Sequence, residues 1–405
     1  MVFHARLHAE LIGLLRQHSP FCDQRHLVLL AQMVAGLLLS QTVCFDRWKT
    51  VLPLGHCLAA SWQRRCQRWL CNTRIDVEAL YGPLVLWALQ HWKKPGQALH
   101  LALDTTMLWN RCCVVVLSVV CHGRAIPLLW QTLEHPSASV SASVSIALLE
   151  KADRLLAAFG VITLLADRAF PSEELLGWFD GKPRWSYVMR LRSDTWIHGT
   201  AAPMGCEVRR LRLPRGHCRG FRNVQLWADG SQKANLLLAH PSGIAIDEPW
   251  YLVSNADPTL DLVWSYAKRF CCEQLFRDQK SGLFQLESSG LRDPGRIDRL
   301  LLVVAIAVLV SSLQGYAVSL DGLRHQVDPH WQRGMSFVRI GLKWLQQAVA
   351  NAGRSFRTWM PIPLRDLEPC IPSRGVQRRQ QQPWFTRIEL PPRPRPQQAQ
   401  QPAVA

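Results

Sequence analysis

Tyr266, Arg269, Glu273 and Lys280 follow the spacing Y-x-x-R-x-x-x-E-x-x-x-x-x-x-K. At about 100° per residue, offsets of 3, 7 and 14 return to nearly one angle, so a helix over 261–280 would carry all four on a stripe roughly 60° wide. One carboxylate flanked by two cations and a phenol suits a site in which the acid holds a metal ion and its neighbours hold phosphates. The alternative is a solvated helix face on which Glu273 makes ordinary pairs with Arg269 and Arg277, four residues to either side.

Two aspartates extend the pattern. Asp104 closes the strand-like run 98–104 (ALHLALD), and Asp167 follows the apolar run Val161–Ala166 (VITLLA). Ligands of open α/β sheets bind at the carboxyl ends of strands. Taken singly, each aspartate reads better as a turn or cap residue, and Asp167 also as a local pair with Arg168. Brought together with Glu273, they would form a cluster of like charges that is costly without a cation. Mg²⁺ takes carboxylate oxygens and keeps positions open for phosphate. Two such ions about 3.5–4 Å apart activate water and stabilise the leaving oxygen of a phosphodiester, whereas His or Cys ligands would favour softer metals.

Several elements must position these acids. Strands are predicted at 98–104, 112–121, 125–133, 161–166 and 185–191, with helices at 146–159 and 171–179 and a Ser/Ala-rich linker at 136–145. The order β-β-β-α-β-α-β over 96–191 is that of an α/β sheet with helices on its faces. Short alternating runs broken by Gly, Pro and Asn make 192–256 a β-rich insertion. The helix bearing Glu273 lies in 257–325. Residues 1–95 read as a helical, basic domain, with apolar residues at helical spacing through 27–39 and arginines mixed with aromatics through 62–69. That region is either a DNA-binding domain or an ordinary helical domain with a basic face, and no helix-turn-helix signature is visible. Residues 326–372, with Trp331, Arg339, Lys343 and Trp344, are expected to be mixed and helical. The Gln/Pro/Arg-rich tail 373–405 holds too little apolar surface for a core and is expected to be disordered.

The 405-residue chain is 48 % hydrophobic, enough for two or three domains and a sizeable core. Its formal net charge of +17 favours polyanionic partners and salt-sensitive association. Its 13 cysteines include no C-x-x-C pair and no zinc-site spacing, and Cys112-Cys113 reads as core. With no signal-peptide pattern, a reducing cytoplasm is the expected location. The uncharged run 300–313 falls short of the ~20 residues of a membrane helix and is expected to be a buried core helix, with no membrane contact.

Over residues 98–345 the chain resembles the DDE transposases of bacterial insertion sequences, the group marked by the Tyr-Arg-Glu-Lys signature. The LALDTT aspartate, the ADRAFP aspartate and the full spacing of the signature carry the resemblance. It implies a ribonuclease-H-like mixed sheet with flanking helices, interrupted by a β insertion. It also implies that Asp104, Asp167 and Glu273 ligate two Mg²⁺ ions, with Mn²⁺ as a substitute, and that Tyr266, Arg269 and Lys280 contact phosphates of the transposon end. Double-stranded DNA, both transposon ends and target, would be the partner, bound by a homodimer in the synaptic complex. Trp250, in EPWYLVSN, would be a base-stacking residue of the kind the group uses on a flipped nucleotide; the alternative is a core tryptophan, one of 17 in the chain. Two other readings compete with an active transposase: a catalytically silent DNA-binding derivative and a nuclease without strand transfer.

Overall fold

The computed structural model describes residues 2–19, 23–244, 246–329, 334–351, 353–365, 367, 378, 381 and 383–392. Trp331 and most of the predicted tail lie outside these residues. Five helices open the chain: α1 (Val2–His18), α2 (Gln24–Ser40), α3 (Phe45–Val51), α4 (Ala59–Cys71) and α5 (Val77–Ala88). The predicted α/β run follows as β1 (Ala98–Leu108), β2 (Cys112–Cys121), β3 (Arg124–Glu134), α6 (Ala142–Leu155), β4 (Val161–Ala166), α7 (Glu173–Gly177) and β5 (Trp185–Arg190). Next come β6 (Trp196–Gly199), β7 (Ala202–Glu207), β8 (His217–Leu226), β9 (Gln232–His240) and β10 (Trp250–Ser254). The chain continues through α8 (Leu260–Ala267), α9 (Cys271–Arg277), α10 (Pro294–Leu320), α11 (Phe337–Ala350) and β11 (Arg387–Glu389).

All eleven strands join one mixed sheet in the order β3-β2-β1-β4-β5-β10-β9-β8-β6-β7, with β11 beside β8. Strands β1, β2 and β3 pair antiparallel, while β1, β4 and β5 run parallel. Strand β2 is buried at every position, as expected of an apolar run covered on both faces, and Cys112 and Cys113 are core residues.

The β-rich insertion pairs into the sheet: β10 pairs antiparallel with both β5 and β9, so its ladder extends the central sheet. The amino-terminal helices do not stand apart, because α2, α4 and α5 pack on α10, and α1 packs on α11. The apolar run 300–313 lies within a helix of 27 residues, long enough to cross a membrane. Its apolar surface is wholly inside the protein, which bears out the expected core helix through burial and not through length. Part of the supposedly disordered tail is a strand: Arg387–Glu389 pairs parallel with residues 217–219 of β8, and the Arg219–Glu389 ion pair (2.6 Å) accompanies it. The unpaired edge of β8 supplies the backbone partners that the tail's composition lacks.

Helices α10 and α11 cross with their backbones in contact. A Cβ on Gly341 would lie 1.8 Å from the Ser311 carbonyl oxygen, and one on Gly315 would lie 1.9 Å from that of Phe337. Only glycine permits such an approach.

Candidate active site

The parallel ladder between β1 and β4 ends at the pair Leu103 and Ala166. Asp104 and Asp167 are the next residue on each strand, so the sheet register sets the two acids side by side. Strand β1 does not stop at Asp104: residues 105–108 continue to pair with β2. The turn that follows holds Trp109 and Asn110 at positive φ, 51° and 53°. The Trp109 indole donates to the Glu287 carbonyl oxygen at 2.8 Å, tying this hairpin to the segment after α9.

The predicted single helix over 261–280 is helical throughout but changes pitch. A 3₁₀ turn (Lys268–Phe270) separates α8 from α9, and a π turn (Asp278–Gly282) follows α9. Two members of the stripe reach the aspartates, and Glu273 joins them through Arg269. The Tyr266 hydroxyl donates to Asp167 Oδ1 at 3.3 Å. Arg269 Nη1 donates to Asp104 Oδ2 at 3.0 Å, and its Nη2 to Glu273 Oε1 at 3.1 Å. The Thr105 amide donates to Asp104 Oδ1 at 2.9 Å. Lys280, carried on the π turn, instead lies 3.7 Å from Glu287. The change of pitch separates it from its three companions.

Burial is uneven across this cluster. The Arg269 side chain is 6 % exposed and that of Asp104 16 %, whereas Glu273 is 54 % exposed. Burial pushes the Asp104 carboxyl up to about 6; Arg269 opposes that rise, and Asp167 and Glu273 add to it. Burial works against the Arg269 charge too, but Tyr266, Asp167, Asp104 and Glu273 outweigh it and hold the guanidinium cationic. Burial drives the Tyr266 phenol up to about 12, so it stays a donor. One cation therefore serves three acids and leaves them short of positive charge.

In the free protein Tyr266 and Arg269 face the acids from inside the fold, not an open DNA surface. Trp250 requires a correction. It is 1 % exposed in β10, with its ring centroid 5.2 Å from Tyr266, 5.8 Å from Phe270 and 6.1 Å from Trp384. A base needs an open aromatic face, and this tryptophan has none.

Arg190 and Glu248 escaped the sequence reading, and Arg168 pairs with Glu248 instead of Asp167. Arg190, the last residue of β5, and Arg168 both donate to Glu248 Oε1, at 2.5 Å and 2.8 Å. The strand-end rule that picked Asp167 also points to Arg190, since β5 lies beside β4 in parallel.

Among the described residues no three His, Cys, Asp or Glu side chains stand close enough to hold a metal ion. The donor set still fits a hard divalent cation: it is all carboxylate oxygen, partly buried and undercompensated. The group standing between Asp104 and Glu273 is the Arg269 guanidinium.

A family model described as a transposase DDE domain matches residues 93–310, more than half of the chain. Among solved structures, a piggyBac transposase synaptic complex with hairpin DNA is similar at a TM-score of 0.40 and 10 % identity, over 87 % of this chain and 80 % of that one. No curated protein matches the sequence.

Proposed function

The chain belongs to the transposase DDE domain family, and from that premise we propose that it cleaves DNA at the ends of an insertion sequence and joins them to target DNA, with Asp104, Asp167 and Glu273 as the acid triad. The observation that carries this reading is the convergence of the three acids on Arg269 and Tyr266. The strand order β3-β2-β1-β4-β5, with the first three strands antiparallel and the last two parallel to β1, supports a ribonuclease-H-like core.

The three acids would hold the divalent ions, which supply Lewis-acid activation of water and neutralise charge at the scissile phosphate. The chain's own groups do the positioning. The Thr105 amide fixes one oxygen of Asp104, and Tyr266 orients Asp167. Arg269 holds Asp104 and Glu273 at a common distance while the site lacks other cations. An entering phosphate would compete with the two carboxylates for the guanidinium, and arginine geometry suits bidentate phosphate binding. Thus the signature arginine first organises the acids and then meets the DNA backbone. Two ends must be brought together, so a homodimer acting on chromosomal DNA in the bacterial cytoplasm completes the reading.

The test is cleavage of a labelled insertion-sequence end duplex with Mg²⁺ or Mn²⁺. Asp104→Ala, Asp167→Ala and Glu273→Ala should each abolish strand cleavage while leaving end binding intact. Undiminished cleavage by any one of them would sink the triad. Cleavage without joining of pre-cut ends to target DNA would indicate a nuclease.

A further inference from the structure

Helix α4 is pinned on one side and unusually composed on the other. Trp62, Cys66, Trp69 and Leu70 are buried. The Trp69 indole donates to the His26 carbonyl oxygen at 3.3 Å, and Arg299 Nε donates to that of Leu70 at 2.5 Å. The helix therefore cannot roll about its axis. Its outward stripe is Arg64, Gln67, Arg68 and Cys71, at positions i, i+3, i+4 and i+7, all exposed. With Asn72 these residues line a surface depression of about 350 Å³. The helix has no acidic residue. Among the described residues neither Arg64 nor Arg68 has a carboxylate within salt-bridge distance.

This face is rigidly tied to the candidate active site. Helix α3 packs on α4. The turn before α3 is joined to the segment beyond Lys280 by the bond from the Val43 amide to the Phe284 carbonyl oxygen (3.0 Å) and by Cys44 Sγ beside Ser288 Oγ (3.4 Å). A duplex lying on α4 is held in a fixed relation to the acids.

The side chains on the stripe are of the base-reading kind. Arginine pairs bidentately with guanine O6 and N7, and glutamine with adenine N6 and N7, in a major groove about 12 Å wide that admits one helix. A face that only gripped phosphates would need cations and no planar amide at its centre. We propose that α4 enters the major groove of duplex DNA and reads its sequence through Arg64, Gln67 and Arg68. This rests on the transposase reading and assigns the element that would recognise the insertion-sequence end.

The experiment selects binding sites for the full chain from a randomised duplex library and follows affinity by fluorescence anisotropy. Wild type should enrich a short motif containing guanine and adenine positions. Arg64→Ala and Arg68→Ala should each weaken binding to that motif by about 10- to 100-fold and relax one position, in line with the worth of a bidentate pair. Gln67→Ala should relax an A·T position. All three side chains are exposed, so the variants should melt with wild type. If the motif survives all three substitutions, or if affinity falls equally for every sequence with a shallower salt dependence, α4 does not read bases and the proposal fails. Cleavage separates this failure from that of the functional reading. Wild-type protein that cuts an end through Asp104 while its α4 variants keep the motif overturns only the proposal. Wild-type protein that neither binds nor cuts duplex DNA overturns both.

Discussion

Arg269→Met removes the one charge that Asp104 and Glu273 share while keeping an unbranched apolar stem beside Phe270 and Tyr266. Breaking a buried ion pair by deleting one partner costs about 3–5 kcal/mol, because the other charge is left uncompensated. Glu273 keeps about half of its side chain in water, so its share of the bridge is worth under about 1 kcal/mol. The cost therefore falls on Asp104, whose side chain is 16 % exposed. A loss of about 3 kcal/mol is expected at pH 8, read by urea unfolding. At pH 5, below the value of about 6 for Asp104, the carboxyl is mostly protonated with or without its partner, and the loss should shrink. Removing a cation from among three acids should also favour another one. Mn²⁺ binding to the DNA-free protein, followed by electron paramagnetic resonance, should tighten by about tenfold or more, equivalent to about 1.4 kcal/mol of relieved competition. A variant as stable as wild type at pH 8, with unchanged Mn²⁺ affinity, would refute the bridging role of Arg269.

Two further outcomes follow from burial. Asp104 and Asp298 are both pushed up to about 6, chiefly by burial. A carboxyl whose folded pKa lies above its unfolded value stabilises the fold while protonated, so this contribution is full below about pH 4 and lost as pH rises through about 6. Each acid should account for about 3 kcal/mol of that loss, and Mg²⁺ at pH 7–8 should restore the Asp104 part alone. Thermal melts should therefore show a Mg²⁺ effect in wild type and Asp298→Asn but not in Asp104→Asn; an equal effect in all three would contradict the assignment. Trp250→Ala should cost about 3–5 kcal/mol of stability as a core truncation. The milder Trp250→Phe should leave the fluorescence of 2-aminopurine at a bound DNA end unchanged, and loss of a stacking signal there would reinstate a base-binding role.

The placement of the two aspartates was legible because it follows from strand periodicity. The apolar run 98–103 and the run 161–166 are each followed by an aspartate, and parallel pairing of β1 with β4 then sets Asp104 beside Asp167 with no further specification. The α/β order was legible for the same reason. What the sequence did not disclose depends on partners distant along the chain. An ideal helical stripe predicts that Lys280 joins Glu273, yet the 3₁₀ and π turns change the pitch on either side of α9. Glu248 acts at the site only through Arg168 and Arg190, each more than fifty residues away. Trp250 has the same residue type whether it stacks on a base or packs edge-on against Tyr266; only the pairing of β10 with β5 and β9 puts it inside. Strand β11 has too weak a local pattern to be read as a strand, because its stability comes from the open edge of β8.

The aromatic residues around α8 and α9 complete the account of what positions Tyr266 and Arg269. Trp250 packs edge-on against Tyr266, and Phe270 lies 4.8 Å beneath the Arg269 guanidinium. Trp384, from the tail, meets Trp250 and also packs at a tilt, ring centroids 4.5 Å apart, against Trp264 of α8. The Trp384 carbonyl oxygen accepts from the Ser242 amide at 2.8 Å, which anchors the tail at the end of β9. A wall built from the sheet extension and the tail thus backs the helix at Tyr266 and Trp264. Rigid backing matters because a bond of about 3 Å from a long arginine to a strand aspartate tolerates little sway in the helix that carries it. The sheet extension that resembled an insertion and the tail that resembled a solvated end therefore share one structural task, holding the phenol and the guanidinium against the carboxylates.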